Sequence, residues 1–221
     1  MPFPGGMTAT ANGLLLLSVL AAILYGFMAQ WPASRRRTAV KTLSVVLLGV
    51  LAWSAGGPLL LALALMASAS GDAALAAEED RWFLPGLVAF LIAHLIYIAL
   101  FATGSQGIGI LAAEPLRGLW AVLIVIAAGA LLAKLIPAVP AAMRAPVVVY
   151  ALAIAAMGVM AVTVPGYGVA IGASLFIASD AILAVRKYLM AETSPHAAWA
   201  GYAVWALYYA AQATITLAIL L

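Results

Sequence analysis

Long stretches of Leu, Ala, Val and Ile alternate with short polar or proline-bearing segments along the whole chain. A helix needs about 20 consecutive apolar residues to cross a bilayer. Eight stretches approach or exceed that length: 13–31, 40–55, 58–77, 84–103, 116–136, 146–164, 167–188 and 197–221. The second is the shortest and is expected to tilt little. The eleven prolines fall in tails, linkers or at the edges of these stretches, which predicts continuous helices. The first stretch does not read as a cleaved signal peptide, because its positive cluster, Arg35 to Arg37, follows the apolar run.

Composition agrees with this pattern. At 67% hydrophobic and 8% charged residues, with a mean hydropathy of +1.19, a 221-residue chain has too little charge to cover a soluble surface. The expected fold is an all-α polytopic membrane protein, an eight-helix bundle forming one integral membrane domain over residues 1–221. The absence of cysteine excludes disulfides, thiolate metal sites and a thiol nucleophile. A net charge of +3 is too small to argue for nucleic acid, but its distribution is informative. With eight spans, Arg35, Arg36, Arg37, Lys41, Arg81, Lys134, Arg144, Arg186 and Lys187 share one side, and Arg117 alone falls on the other. The positive-inside rule makes the crowded side cytoplasmic and turns both termini outward. Glu78, Glu79 and Asp80 read as a solvated loop on that same side.

Two aspartates interrupt the apolar stretches. Asp72 lies in Ser68-Ala-Ser-Gly-Asp-Ala-Ala-Leu-Ala and Asp180 in Phe176-Ile-Ala-Ser-Asp-Ala-Ile-Leu-Ala, two nearly repeated settings. A carboxylate near a bilayer interior costs about 2.5–3.5 kcal/mol even on the lenient insertion scale, so the pair is a candidate for chemistry. The Gly49-Val-Leu-Ala of the second stretch also resembles the Gly158-Val-Met-Ala of the sixth, which would give two parallel four-helix halves. At about 1.5 Å per residue, Asp72 lies roughly 8 Å and Asp180 roughly 12 Å from the cytoplasmic ends of their spans, with His94 at about 15 Å and Tyr97 deeper. Tyr150, Trp205, Tyr208, Tyr209 and Gln212 occupy comparable levels. Packed inward, these groups would form a pocket open to the inner leaflet, with Asp72 and Asp180 facing each other.

Each candidate has a structural alternative. Asp180 has Lys187 two turns along its own helix. His94 lies on the stripe Phe90, His94, Tyr97 and Phe101, one face of a helix, where a hydrogen-bonded core histidine is common. Tyr97, Tyr150 and Tyr209 are candidates for packing, and Gln212 for a hydrogen bond between helices worth about 1 kcal/mol. Arg35 to Arg37 read as anchors. Lys41 is either an anchor or a snorkelling contact to a lipid phosphate. His196 has no evident partner in the sequence and stays outside the site.

The chain resembles the YhhN-type lysoplasmalogenases from about Arg37 to its end. The resemblance is carried by Lys41, Ser70-Gly71-Asp72-Ala-Ala-Leu75, Phe83 through His94 to Tyr97, Pro146-Val-Val-Val-Tyr150 with Met157, Gly172 through Ser179-Asp180 to Leu183, and Tyr208-Tyr209-Ala-Ala-Gln212. Thr42 departs from the pattern, which has proline after the lysine. The resemblance implies hydrolysis of the vinyl ether bond of a lysoplasmalogen to a fatty aldehyde and glycerophosphoethanolamine or glycerophosphocholine, in a bacterial cytoplasmic (inner) membrane, with a lysophospholipid as partner and no cofactor.

Vinyl ether hydrolysis suits paired carboxyl groups as glycoside hydrolysis does, one donating a proton and one activating water. Asp180 is the expected acid and Asp72 the expected base. His94 orients water or relays the proton, Tyr97, Tyr150, Tyr209 and Gln212 contact substrate, Ser179 supports Asp180, and Lys41 meets the phosphate. Three alternatives stand beside this. One is zinc held by His94, Asp72 and Asp180, although catalytic zinc usually has more histidine. The second is a hydrolase of another lysolipid or ether lipid. The third is a transporter, against which the lack of mid-span prolines argues.

Overall fold

The computed structural model describes residues 2–6, 9–77, 80–191 and 193–221. Glu78 and Glu79, and the side chain of Asp80, lie outside the described set, and with them the expected solvated loop. Among the described residues the regular structure is entirely helical: α1 (Thr10–Met28), α2 (Arg35–Ser54), α3 (Leu59–Leu75), α4 (Asp80–Gly104), α5 (Ile110–Ala113), α6 (Pro115–Leu135), α7 (Ala141–Val162), α8 (Gly168–Tyr188) and α9 (Ala197–Leu220). Seven of these are long and apolar enough to cross a membrane, which makes the chain a polytopic membrane protein. The apolar α3 has 17 residues and α5 is a single turn. At about 1.5 Å per residue α3 spans roughly 26 Å, a little less than the hydrocarbon core.

The helices differ from the apolar stretches mainly at the starts of α2, α4 and α7. α2 begins at Arg35 instead of residue 40, because Ser34 caps it by accepting a bond from the Arg37 N–H. α4 and α7 also begin about one turn early, which leaves Pro85 and Pro146 inside helices and not at their edges. Each proline removes one backbone donor, a loss tolerated near a helix start. Polar residues such as Arg81 and Arg144 thus continue helices that the hydrophobic pattern alone starts later.

The chain divides into two compact units, Met1–Leu100 with Gln212–Leu221, and Phe101–Ala211. In unit 1, α2 packs against α1 and α3. Val45, Leu48, Leu51, Leu61 and Leu65 are fully buried there, and the Ser18 hydroxyl donates 2.6 Å to the Ser44 carbonyl. Gly71 sets the approach of α3 to α4, since a Cβ there would lie 2.6 Å from the Phe90 ring.

In unit 2, α7 packs against α6 and α8 around Ile124, Val162 and Ala170, with a second cluster of Leu135, Val139 and Val147. Arg117 is 4% exposed. It donates to Val162 O at 2.6 Å, Val164 O at 2.8 Å, Gly166 O at 3.1 Å and Glu114 Oε2 at 2.7 Å, and its guanidinium lies 4.9 Å from the Tyr167 ring centre. The charge therefore serves the carbonyls at the end of α7, as cations do at helix C-termini.

Candidate active site

The apolar packing of α2 on α3 brings two charged side chains together. Lys41, on the second turn of α2, places Nζ 3.0 Å from Oδ1 of Asp72, near the end of α3. Asp72 is 1% exposed and the Lys41 side chain 14%, so this is a buried ion pair, and removing one member of such a pair costs about 3–5 kcal/mol. Tyr25 of α1 is also buried, with its ring centre 5.9 Å from Nζ. Lys41, the residue expected to meet a phosphate, is thus paired with a carboxylate. Tyr25 went unnoticed in the sequence because the first apolar stretch carries no motif.

Further along α4, the stripe is a buried helix face: Phe90, His94 and Tyr97 of unit 1, and Phe101 where unit 2 begins, are all buried. Tyr97 donates its phenol proton to Oε1 of Gln212 on α9 at 2.5 Å. These two expected substrate contacts therefore engage each other. The Gln212 Nε2 and Ser68 Oγ atoms are buried and have no hydrogen-bond partner among the described residues. A buried amide donor left over in this way is a place for a water or a ligand oxygen.

In unit 2, α7 presents Tyr150 to Asp180 of α8, and the phenol donates to Oδ2 of the carboxyl. Both residues are half-buried. Ser179, 1% exposed, sends its proton 2.9 Å to the Val204 carbonyl on α9. Ser179, the residue expected to support Asp180, thereby ties α8 to α9. Tyr209 stacks on Trp205 with ring centres 6.0 Å apart, and Tyr208 packs edge-on against Phe176 at 5.4 Å. Tyr209 thus belongs to an aromatic layer that also includes a buried Trp205.

Asp72 lies in unit 1 and Asp180 in unit 2. Among the described residues, neither unit gathers three His, Cys, Asp or Glu side chains as a metal centre requires. A groove of about 810 Å³ runs beside the start of α2 and the end of α3, lined by Arg35, Thr38, Thr42, Ser70 and Trp82 among others. Thr42, the departure from the expected proline, keeps its Oγ1 shielded and without a partner among the described residues.

The model of the YhhN family matches residues 36–219. A human protein named Lysoplasmalogenase TMEM86B is 35% identical over 185 residues, covering 82% of this chain and 74% of that protein. Proteins named Lysoplasmalogenase from Mycobacterium bovis and Mycobacterium tuberculosis are each 33% identical over 160 residues, covering 69% of this chain and 57% of theirs. No solved structure shows a significant match.

Proposed function

The chain belongs to the YhhN family, and on that premise we propose that it is a lysoplasmalogenase, a membrane hydrolase of the vinyl ether bond in lysoplasmalogens. The products are a fatty aldehyde and glycerophosphoethanolamine or glycerophosphocholine. The observation that carries the chemical reading is that each membrane-embedded aspartate is met by a proton-bearing side chain from the neighbouring helix, Lys41 for Asp72 and Tyr150 for Asp180.

Cleavage begins with transfer of a proton from a carboxylic acid to the β-carbon of the vinyl ether. The alkene electron pair forms the new C–H bond, and the adjacent carbon becomes an oxocarbenium ion. Water adds to that carbon and gives up a proton to a second carboxylate, forming a hemiacetal. The hemiacetal hydroxyl then gives its proton to a carboxylate as its oxygen forms the C=O bond, the C–O bond to glycerol breaks, the glycerol oxygen takes a proton from the carboxylic acid, and the aldehyde leaves. Two carboxyl groups are sufficient for these transfers, and a carboxylate also stabilises the cation. The buried Gln212 amide is suited to orient water or a substrate oxygen, and His94 to relay a proton.

In this reading eight helices cross the membrane, both termini face outward, and the reacting groups lie toward the cytoplasmic leaflet of a bacterial inner membrane. The supporting observation is that nine basic residues fall on one side of that arrangement while Arg117 is engaged by carbonyls. Purified protein in detergent, presented with vinyl-ether, alkyl-ether and acyl lysolipids and followed by mass spectrometry, should release aldehyde from the vinyl ether alone. Asp72→Asn and Asp180→Asn should each abolish that release in a folded protein. Unchanged turnover in both variants would refute the assignment.

A further inference from the structure

The two aspartates share more than their sequence settings. Gly49 and Gly158 are 109 positions apart, as are Lys41 and Tyr150, and Asp72 and Asp180 are 108 apart. In unit 1, Gly49 of α2 lies against α3, where an added Cβ would come 3.2 Å from Met66 Sδ and 3.5 Å from Leu65 Cβ. In unit 2, Gly158 of α7 lies against α8, where the same atom would come 2.5 Å from Ile177 Cδ1. Each unit thus contains a pair of adjacent helices with a glycine at their contact, an aspartate on the second helix, and a partner for that aspartate eight residues before the glycine. The partner is the element that changes, from a lysine in unit 1 to a tyrosine in unit 2.

We propose that these helix pairs are two copies of one carboxyl-holding device, and that the residue at the partner position separates the protonation states: Lys41 keeps Asp72 ionised as the base, while Tyr150, which brings no charge, leaves Asp180 free to rest as the protonated acid. A lysine ammonium 3.0 Å from a carboxylate favours the charged form directly. A phenol contributes a hydrogen bond without a charge, so it favours the carboxylate far less than an ammonium does, and it can also donate to the carbonyl oxygen of a carboxylic acid. One substitution between otherwise similar surroundings therefore separates two carboxyl groups into acid and base, the division that acid/base hydrolysis requires. Lys41 is then a positioning residue acting through Asp72 and not a phosphate ligand. Tyr25 and Arg37 are the other ionisable groups near Lys41, and Arg37 is engaged with the Trp31 carbonyl. Lys187 lies two turns beyond Asp180 on α8.

The catalytic roles rest on the proposed hydrolysis, but the protonation states are measurable without turnover. Infrared difference spectroscopy of the full chain in detergent should show a protonated-carboxyl C=O stretch. Asp180→Asn should remove it, Asp72→Asn should leave it, and Lys187→Gln should leave it. Tyr150→Lys should remove the band, and Lys41→Met should add one that disappears in the Lys41→Met, Asp72→Asn double variant. A wild-type band that belongs to Asp72 would overturn the proposal even if no lysine variant folds.

Kinetics supply the second arm. Lys41→Met should lower kcat about a hundredfold or more, the scale of lost acid/base catalysis. The loss should be equal on a lysoplasmalogen and on a 1-alkenylglycerol that lacks phosphate, and Lys41→Arg should restore most of it. A loss confined to KM for the phosphate-bearing substrate would make Lys41 a phosphate ligand and overturn the assignment. If the wild type cleaves neither vinyl ether, the enzymatic reading falls while the infrared result still decides the protonation states.

Discussion

Replacing Tyr150 with phenylalanine isolates one hydrogen bond whose strength should change during the reaction. In the resting state the phenol donates to Asp180 of the neighbouring helix. If Asp180 is the acid, this bond joins two neutral groups at first and reaches a carboxylate after proton transfer. A neutral bond contributes about 0.5–1.5 kcal/mol and one to a charged group about 1.5–3 kcal/mol, a difference of roughly 1–1.5 kcal/mol favouring the transition state. At about 1.36 kcal/mol per tenfold, Tyr150→Phe should lower kcat about five- to thirteenfold while leaving KM nearly unchanged. Single-turnover aldehyde release measures this, with detergent-resistant secondary structure as the folding control. In an Asp180→Glu background that retains measurable activity, the two effects should be non-additive, as expected for groups in contact. An unchanged or higher kcat in folded Tyr150→Phe would mean that the phenol favours the starting state, and the role of Asp180 as acid would fail.

Three other substitutions test the surroundings. Gly71→Ala places a Cβ 2.6 Å from the Phe90 ring and should cost about 1–3 kcal/mol through overpacking, seen as a lower Tm that Phe90→Leu partly restores. Arg117→Met strands the Val162, Val164 and Gly166 carbonyls and should destabilise by at least about 2 kcal/mol in chemical denaturation, with turnover per folded molecule unchanged. Tyr97→Phe leaves Gln212 Oε1 without its donor and should cost about 1–3 kcal/mol, whereas Tyr97→Phe with Gln212→Leu should recover much of that stability in thermal unfolding while remaining inactive.

The helices were legible in the sequence because a bilayer imposes a length and a composition on them. The starts of α2, α4 and α7 were not, because Arg35, Arg81 and Arg144 are polar residues that extend those helices, and a hydrophobicity pattern stops where the charge begins. The turn of α5 was likewise hidden in a linker. Asp72 and Asp180 stood out as carboxyls in apolar runs, but their partners did not. Lys41 and Asp72 meet through the packing of two helices, as do Tyr150 and Asp180, which are 30 residues apart in sequence. No local spacing rule reports such contacts. The Ser179 contact is hidden for a related reason: neighbours along a helix point about 100° apart, and Ser179 reaches the Val204 carbonyl on α9.

The engagement of Arg117 with the α7–α8 corner has a consequence for biogenesis. Its guanidinium emerges from the ribosome with α6, well before the three carbonyls that receive it have been synthesised. Until the following hairpin arrives, the cation has Glu114 as its one partner among those bonds, so the start of α6 gains its full set of contacts only once the α7–α8 corner has been made.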